Sequence, residues 1–234
     1  MLKALRSLIS KLCGPELSHW KLLLFWPVYG LAFFTLEWVF PQAYYLPMYH
    51  PLDDMIPFAE IFVIPYVFWY IYMIGSVAYT FFKDTAAFRR MMYFYMIVFG
   101  VSTLVFFFYP TRQDFRPEAF PRDNVLTQTM ALLYSMDTNT NVCPSLHVSG
   151  SIGAALAFLD TKRFSTIGWK WTNWIIATLI SVSTVFVKQH SVIDVFWGVI
   201  LSAVAWWIVY KRPIKNRSAS FRRDSAHGAV KVPK

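Results

Sequence analysis

Residues 190–210 read HSVIDVFWGVILSAVAWWIVY, and Asp194 is the only charged residue among them. An α-helix of about 20 mostly apolar residues is long enough to cross the hydrocarbon core of a bilayer. This stretch therefore predicts a transmembrane helix. A histidine and an aspartate near one end of such a helix are unfavourable unless they are paired, so they also indicate a functional site.

Five further apolar stretches are bounded by charged residues or proline. The six predicted spans lie at 22–40, 57–82, 91–109, 146–160, 172–188 and 190–210. Of the 234 residues, 56% are apolar and 15% are charged, against about 25% charged in an average soluble domain. The predicted fold class is all-α: a polytopic membrane protein with six transmembrane helices in one bundle and no second folded domain.

The two ends of the chain differ from this membrane domain, which we place at 21–211. In residues 1–20, leucines recur at helical spacing beside basic residues, which predicts an amphipathic helix lying in the membrane interface. Residues 212–234 are basic and predict a disordered cytoplasmic tail that is held to anionic lipid.

Lysines and arginines are distributed unequally between the two sides of the predicted bundle. Of the 22 in the chain, only Arg112, Arg116, Arg122 and Lys188 fall on one side. Because cytoplasmic loops carry the excess of Lys and Arg, both termini are predicted to be cytoplasmic, in a plasma membrane. The net charge of +9 is accordingly interpreted as attraction to an anionic membrane surface and not to nucleic acid.

Two histidines on the opposite, outer side are suited to chemistry. His190 and Asp194 are four residues apart and share one helix face, so the carboxylate can hold one imidazole nitrogen. The other nitrogen is then free for nucleophilic attack or general base catalysis. His147 follows Ser145, a predicted helix N-cap, and the free N–H groups of a helix N-terminus bind anions.

Three cations lie in the same outer segments. Arg112 and Arg116 carry planar, permanently charged guanidinium groups that match phosphate oxygens. Lys188 is either a phosphate ligand or a side chain that reaches to the membrane interface. Together with the histidines, these groups predict an anionic lipid head group as the ligand, and phosphate fits best.

Three more carboxylates lie on the outer side without an assigned role. Asp53 and Asp54, in the first outer loop, are predicted to face water or, alternatively, to contact a polar head group or acceptor. Glu60 stands near the outer end of the second predicted span, where a carboxylate is unusual.

The ordered motifs Arg-x3-Arg-Pro, Pro-Ser-Leu-His and His-x3-Asp on a six-span chain resemble the type 2 phosphatidic acid phosphatase (PAP2) superfamily. The resemblance covers about residues 56–211. It implies that His190 is a nucleophile that forms a phosphohistidine, that Asp194 orients it, and that His147 is the general acid.

The same resemblance implies that Arg112, Arg116 and Ser145 hold the phosphate and that no metal or other cofactor is required. The form Pro-Ser-Leu-His is similar to the inositol phosphorylceramide synthase branch. Most family phosphatases have Ser-Arg six positions before the third-motif histidine, where this chain has Ser183-Thr184. One phosphate-binding arginine is therefore missing, and Lys188 is a candidate substitute.

These features support one leading prediction and three alternatives. The leading prediction is a membrane enzyme that hydrolyses a lipid phosphate or pyrophosphate at the outer membrane face. In the first alternative, a lipid or polyol hydroxyl accepts the phosphoryl head group in place of water. The second is a non-catalytic lipid transporter, although the sequence shows no repeated halves. The third is a metalloenzyme with His147, His190 and Asp194 as ligands, although Arg112 and Arg116 would repel a cation.

Overall fold

The computed structural model describes residues 18–211, and this part of the chain is mostly helical. Residues 1–17 and 212–234, which carry most of the predicted interfacial helix and the whole predicted tail, lie outside the described residues. The first helix runs from a 3-10 turn at Ser18–Leu24 through α1 (Phe25–Phe34) to a π-helical end at Thr35–Val39. The remaining α-helices are α2 (Leu52–Met55), α3 (Val63–Lys83), α4 (Thr85–Phe108), α5 (Val125–Met136), α6 (Leu146–Leu159), α7 (Ile167–Phe186) and α8 (Val192–Tyr210).

Four of the described helices are long and apolar enough to cross a membrane. They are Ser18–Val39, Glu60–Lys83, Thr85–Phe108 and Val192–Tyr210, where the second begins with a 3-10 turn at Glu60–Phe62. These helices indicate a membrane protein, as predicted. α6 is apolar but shorter, and α7 is not among these four helices. The six-span arrangement and the cytoplasmic side of both termini stay predictions.

The short helix α6 packs against α3, α4, α7 and α8. Small residues make this close packing possible, because glycine and alanine let neighbouring helices approach. A Cβ atom added at Gly153 would lie 2.4 Å from a ring carbon of Tyr95 and 2.8 Å from one of Phe94. The helix that carries His147 at its N-terminus is therefore held tightly by its neighbours.

We expect Gly153→Ala to destabilise the protein by about 1–3 kcal/mol, because two buried aromatic rings must move to admit the methyl group. The measurement is the midpoint of thermal unfolding in detergent. Gly100→Ala is the matched control, since a Cβ at this helical position in α4 meets nothing within 4 Å. Equal midpoints for the two variants would show that α6 is not packed as described.

The segment between α4 and α6 carries the helix α5, which begins after the N-cap residue Asn124. The Asn124 side chain accepts the backbone N–H groups of Leu126 and Thr127 at 2.9 and 3.1 Å, which closes a capping box. The sequence of residues 124–136 predicts a short helix within this polar segment, and α5 confirms it. Two short parallel strands, β1 (Leu46–Pro47) and β2 (Thr111–Arg112), tie the loop after the first helix to the loop after α4.

Candidate active site

His190 lies in the turn between α7 and α8, directly before Ser191, the N-cap residue of α8. Its Nδ1 is 3.3 Å from Oδ2 of Asp194, a fully buried carboxylate in the first turn of the helix. The same oxygen accepts the backbone N–H of Ser191 at 2.9 Å as part of a capping box. Asp194 is therefore held in place by the helix start, and it fixes the imidazole in turn. Nε2 of His190 has no hydrogen-bond partner among residues 18–211.

Asp53, in α2, is a second carboxylate at this turn. Its Oδ2 accepts the Ser191 hydroxyl at 2.6 Å, and its Oδ1 accepts the backbone N–H of Val192 at 2.9 Å. A negative charge at a helix N-terminus is favourable, so Asp53 stabilises the start of α8. The prediction that Asp53 faces water is wrong, because the residue is only 1% exposed. Its partner Ser191 is 138 positions away, so no local sequence pattern reveals the contact.

Lys188 also joins the segment that contains α2 to the turn before α8. Its Nζ donates hydrogen bonds to the backbone oxygens of Asp53 at 2.7 Å and Ile56 at 2.5 Å. Its backbone has a φ of 55°, in the left-handed region that residues with a Cβ rarely adopt. The Lys188 ammonium is thus bonded to the backbone of residues 53–56, and Lys188 is not among the residues that line the cleft described below.

His147 is the second residue of α6. Its ring stacks on Tyr66 with centroids 4.5 Å apart and lies 4.4 Å from the ring of Trp69. The centroid of its imidazole is 5.6 Å from that of His190, and its Nε2 is buried without a partner. Ser145 is the N-cap of α6, and its backbone N–H donates to the Asp194 carbonyl at 3.1 Å. This contact joins the two histidine-bearing helix starts.

Arg116 lies beside the His190 turn and is largely occupied by protein acceptors. Its Nη1 donates to the Asp137 carbonyl at 3.0 Å, and its Nη2 donates to the Thr138 carbonyl at 2.6 Å. Nη2 also donates to Oε1 of Gln189 at 2.5 Å, and the guanidinium carbon lies 4.5 Å from the ring centre of Tyr134. Burial lowers the pKa of Arg116, but a guanidinium stays charged at neutral pH. Its Nε is buried without a partner.

The other two arginines predicted on the outer side form ion pairs with carboxylates. Nε of Arg112 is 3.0 Å from Oδ2 of Asp114, and both side chains are about half exposed. Nε of Arg122 is 2.8 Å from Oε1 of Glu60, which gives that carboxylate a partner. Of the four cations predicted on the outer side, Arg116 is the one whose charged group donates hydrogen bonds to residues that line the cleft described next.

Both histidines line a cleft of about 400 Å³. One part of its wall is polar: Asp137, Thr138, Thr140, Asn141 and Gln189. Another part is aromatic: Trp26, Tyr29, Phe33, Trp69, Tyr70 and Phe99. A molecule with a phosphate group and a hydrocarbon chain has the two kinds of surface that these walls match.

Glu37, at the π-helical end of the first helix, supports the polar wall from behind. Its buried carboxylate accepts hydrogen bonds from the side chains of Thr138, Thr140 and Asn141, the second of them at 2.8 Å. These residues lead directly into the Pro-Ser-Leu-His motif. Glu37 was not among the residues predicted from the sequence, although a carboxylate inside a predicted span is itself a signal of function.

Asp137 is the carboxylate on the cleft wall. Burial raises the pKa of its carboxyl group, and the nearby charge of Arg116 lowers it by a smaller amount. A raised pKa in a cleft is common among groups that exchange protons with a ligand.

The metal-ion alternative requires several ligands around one point. Within residues 18–211, no group of three or more His, Cys, Asp or Glu side chains is arranged to hold a metal ion. Oδ2 of Asp194 is already engaged by the Ser191 N–H and by His190. The arrangement of side chains thus favours an orienting role for Asp194 over a ligand role.

A family model described as the PAP2 superfamily matches residues 66–218, more than half of the chain. The matched region contains both histidines, Asp194 and Arg116. No curated protein and no solved structure matches the chain.

Proposed function

The chain belongs to the PAP2 superfamily, and on that basis we propose that it is an integral membrane phosphatase for a lipid phosphate or pyrophosphate. Members of this superfamily are generally phosphatases or phosphotransferases. One observation carries the proposal: His190, with Asp194 on its Nδ1, faces a cleft that also contains His147. The similarity to inositol phosphorylceramide synthases in the form Pro-Ser-Leu-His stays a prediction.

In the proposed first step, Nε2 of His190 attacks the phosphorus atom. A P–N bond forms while the P–O bond to the lipid breaks, which leaves a phosphohistidine. Asp194 accepts the Nδ1 hydrogen bond and stabilises the positive charge that develops on the ring. The electron pair leaves with the lipid oxygen, and His147 donates a proton to that oxygen as general acid.

In the second step, water attacks the phosphorus atom of the phosphohistidine. His147, now neutral, accepts a proton from the water, while the P–N bond breaks and its electron pair returns to His190. Inorganic phosphate leaves, and both histidines regain their starting states. The two ring centroids are 5.6 Å apart, so a phosphoryl group bound in the cleft that both histidines line would be within reach of each imidazole.

We propose that the phosphate is held by the charge of Arg116 and by the N-terminus of α6, where Ser145 is the cap. Arg112 and Lys188 would instead stabilise the loops, because their charged groups bond to residues that do not line the cleft, whereas the guanidinium of Arg116 bonds to residues of its wall. The aromatic wall of the cleft takes the hydrocarbon part of the lipid. The distribution of Lys and Arg supports a site on the outer face of a plasma membrane.

A second function is favoured by the polar wall of the cleft. Asp137 has a carboxyl group with a raised pKa in the same cleft as His190, so it is able to accept a proton from a hydroxyl group. A lipid or polyol hydroxyl bound there would take the phosphoryl head group in place of water. The protein would then be a lipid phosphotransferase.

The test is an assay of detergent-purified protein on a panel of lipid phosphates in the presence of EDTA. Each lipid is incubated with and without hydroxyl acceptors, and both free phosphate and lipid products are measured. Chelator-resistant phosphate release supports the metal-independent phosphatase, whereas a new phospholipid formed only with acceptor supports the transferase. The absence of both products would contradict an enzymatic function.

We expect Glu37→Ala to lower kcat/KM roughly 10- to 100-fold, because small displacements of an active-site wall have effects of this size. The substitution removes the acceptor for three side chains that precede the Pro-Ser-Leu-His motif. Steady-state kinetics on the best lipid of the panel provide the measurement.

Glu37→Gln is the matched control, since it has the same shape and keeps one acceptor oxygen. It should retain most of the activity, and thermal unfolding of both variants separates a local effect from loss of the fold. Full activity in Glu37→Ala would show that the polar wall does not need this support.

A further inference from the structure

We propose that Gln189 is a substrate-binding residue that donates a hydrogen bond to a phosphoryl oxygen at His190. It would take the place of the arginine that position 184 lacks. The inference rests on the proposed function and adds a specific phosphate contact to it.

The first argument is the state of the Gln189 amide. The residue is 3% exposed and lines the cleft beside His190. Its Oε1 accepts from Nη2 of Arg116, which assigns the amide orientation and turns Nε2 to the other side. Nε2 is buried without a hydrogen-bond partner. A buried donor without a partner is unfavourable, and an oxygen of a bound phosphate would satisfy it.

The second argument is that the backbone holds Gln189 and His190 together. The N–H groups of both residues donate to the carbonyl oxygen of Thr184, at 2.9 and 3.1 Å. Lys188, with its positive φ, reverses the chain immediately before them. The amide and the imidazole are thus carried by one tight turn, so a phosphoryl group on His190 stays near the Gln189 side chain.

The third argument is that the other candidate donors at this turn are not available. Thr184 is fully buried, and its hydroxyl donates to the Ser181 carbonyl at 2.8 Å, on the inner side of α7. The Lys188 ammonium is bonded to the backbone of the first outer loop. Gln189 is left as the side chain of this turn with a free N–H group beside the nucleophile.

Arg116 then acts partly through Gln189. Oε1 of Gln189 accepts a hydrogen bond from Nη2 of Arg116, and the charge of the guanidinium polarises the amide group. A polarised amide is a stronger N–H donor. In this arrangement Arg116 orients and strengthens the contact, while Gln189 touches the phosphate.

The experiment measures binding of orthovanadate, a phosphate analogue, by detergent-solubilised full-length protein. Two variants separate a donor role from a bracing role. Gln189→Glu keeps an oxygen for Arg116 but loses the N–H donor, and Gln189→Met is neutral and loses both. If Gln189 binds the phosphate, both variants should weaken orthovanadate binding by about 10-fold or more, since hydrogen bonds to charged groups are among the stronger ones.

Every other pattern overturns the inference. Weaker binding in Gln189→Met alone would mean that Gln189 only braces Arg116. Weaker binding in Gln189→Glu alone would be a simple effect of the added charge. If Gln189→Met does not purify as folded protein, Gln189→Asn is used in its place. The asparagine side chain is one methylene shorter, so its amide group is withdrawn from the phosphate.

Assays of the unmodified protein distinguish this failure from failure of the proposed function. If it releases phosphate from lipid and loses this activity in His190→Ala, the proposed function stands, and the Gln189 variants decide the inference alone. If it neither binds orthovanadate nor turns over any lipid phosphate, both proposals are overturned together.

Discussion

Replacing His190 by alanine is expected to reduce phosphate release from a lipid phosphate by roughly a thousandfold or more, close to the rate without protein. Loss of a covalent nucleophile removes the intermediate itself, so the effect is larger than the loss of one binding contact. The same substitution should leave the fold intact, since no hydrogen bond of the described residues other than the one to Asp194 involves the His190 ring.

The intermediate provides a direct readout for this variant. Brief incubation with a lipid phosphate labelled at phosphorus should label the unmodified protein in a form that is stable in alkali and labile in acid, as phosphohistidine is. His190→Ala should carry no label. His227→Ala, at a histidine of the C-terminal basic segment, is the matched control and should label normally. Labelling of His190→Ala would assign the nucleophile to another residue.

Replacing His147 by alanine is expected to have an effect that depends on the leaving group. General acid catalysis contributes about 10²- to 10⁴-fold where the departing oxygen needs a proton. We therefore expect a loss of that size with lipid monophosphates, whose leaving group is an alkoxide. With p-nitrophenyl phosphate, whose leaving group is stable without a proton, the loss should be much smaller.

The measurement is kcat/KM for both substrates in both proteins, and the ratio of the two losses is the diagnostic quantity. Trp69→Phe is a useful control, because it alters the aromatic contact to His147 but keeps the imidazole. Trp69→Phe should change kcat/KM for both substrates to a similar extent. Equal losses with both substrates in His147→Ala would contradict the general acid role and favour a role in binding.

The proposed catalytic pair is the part of the site that local sequence encodes best. His190 and Asp194 are four residues apart, and their predicted pairing is observed, although His190 lies in the turn before the helix and not on its face. Ser145 as a helix N-cap and the helix that begins after Asn124 were accessible in the same way, because capping depends on residues within one turn. The family motifs added the proposed roles.

The supporting contacts were not accessible, because their partners are far apart along the chain. Asp53 meets Ser191 over 138 positions, and Glu37 meets Asn141 over 104. Gln189 does not belong to any sequence pattern that predicts a function. Its unpaired N–H group is identified only because the structure shows Arg116 bonded to the oxygen of the same amide. For Lys188, the sequence left open a phosphate contact or a position at the membrane interface, and only the fold brings two backbone carbonyls to its ammonium.

By itself, the sequence determined that this is a helical membrane protein of the PAP2 superfamily, and it singled out two histidines and one aspartate for chemistry. Apolar runs, four-residue spacing and helix caps act over a few residues, so they can be read without the fold. The tertiary structure alone decided which of the cations predicted on the outer side is bonded to the wall of the cleft and which carboxylates support that wall. Those outcomes depend on how the helices pack, because a buried polar group takes the partner that packing brings within hydrogen-bond distance.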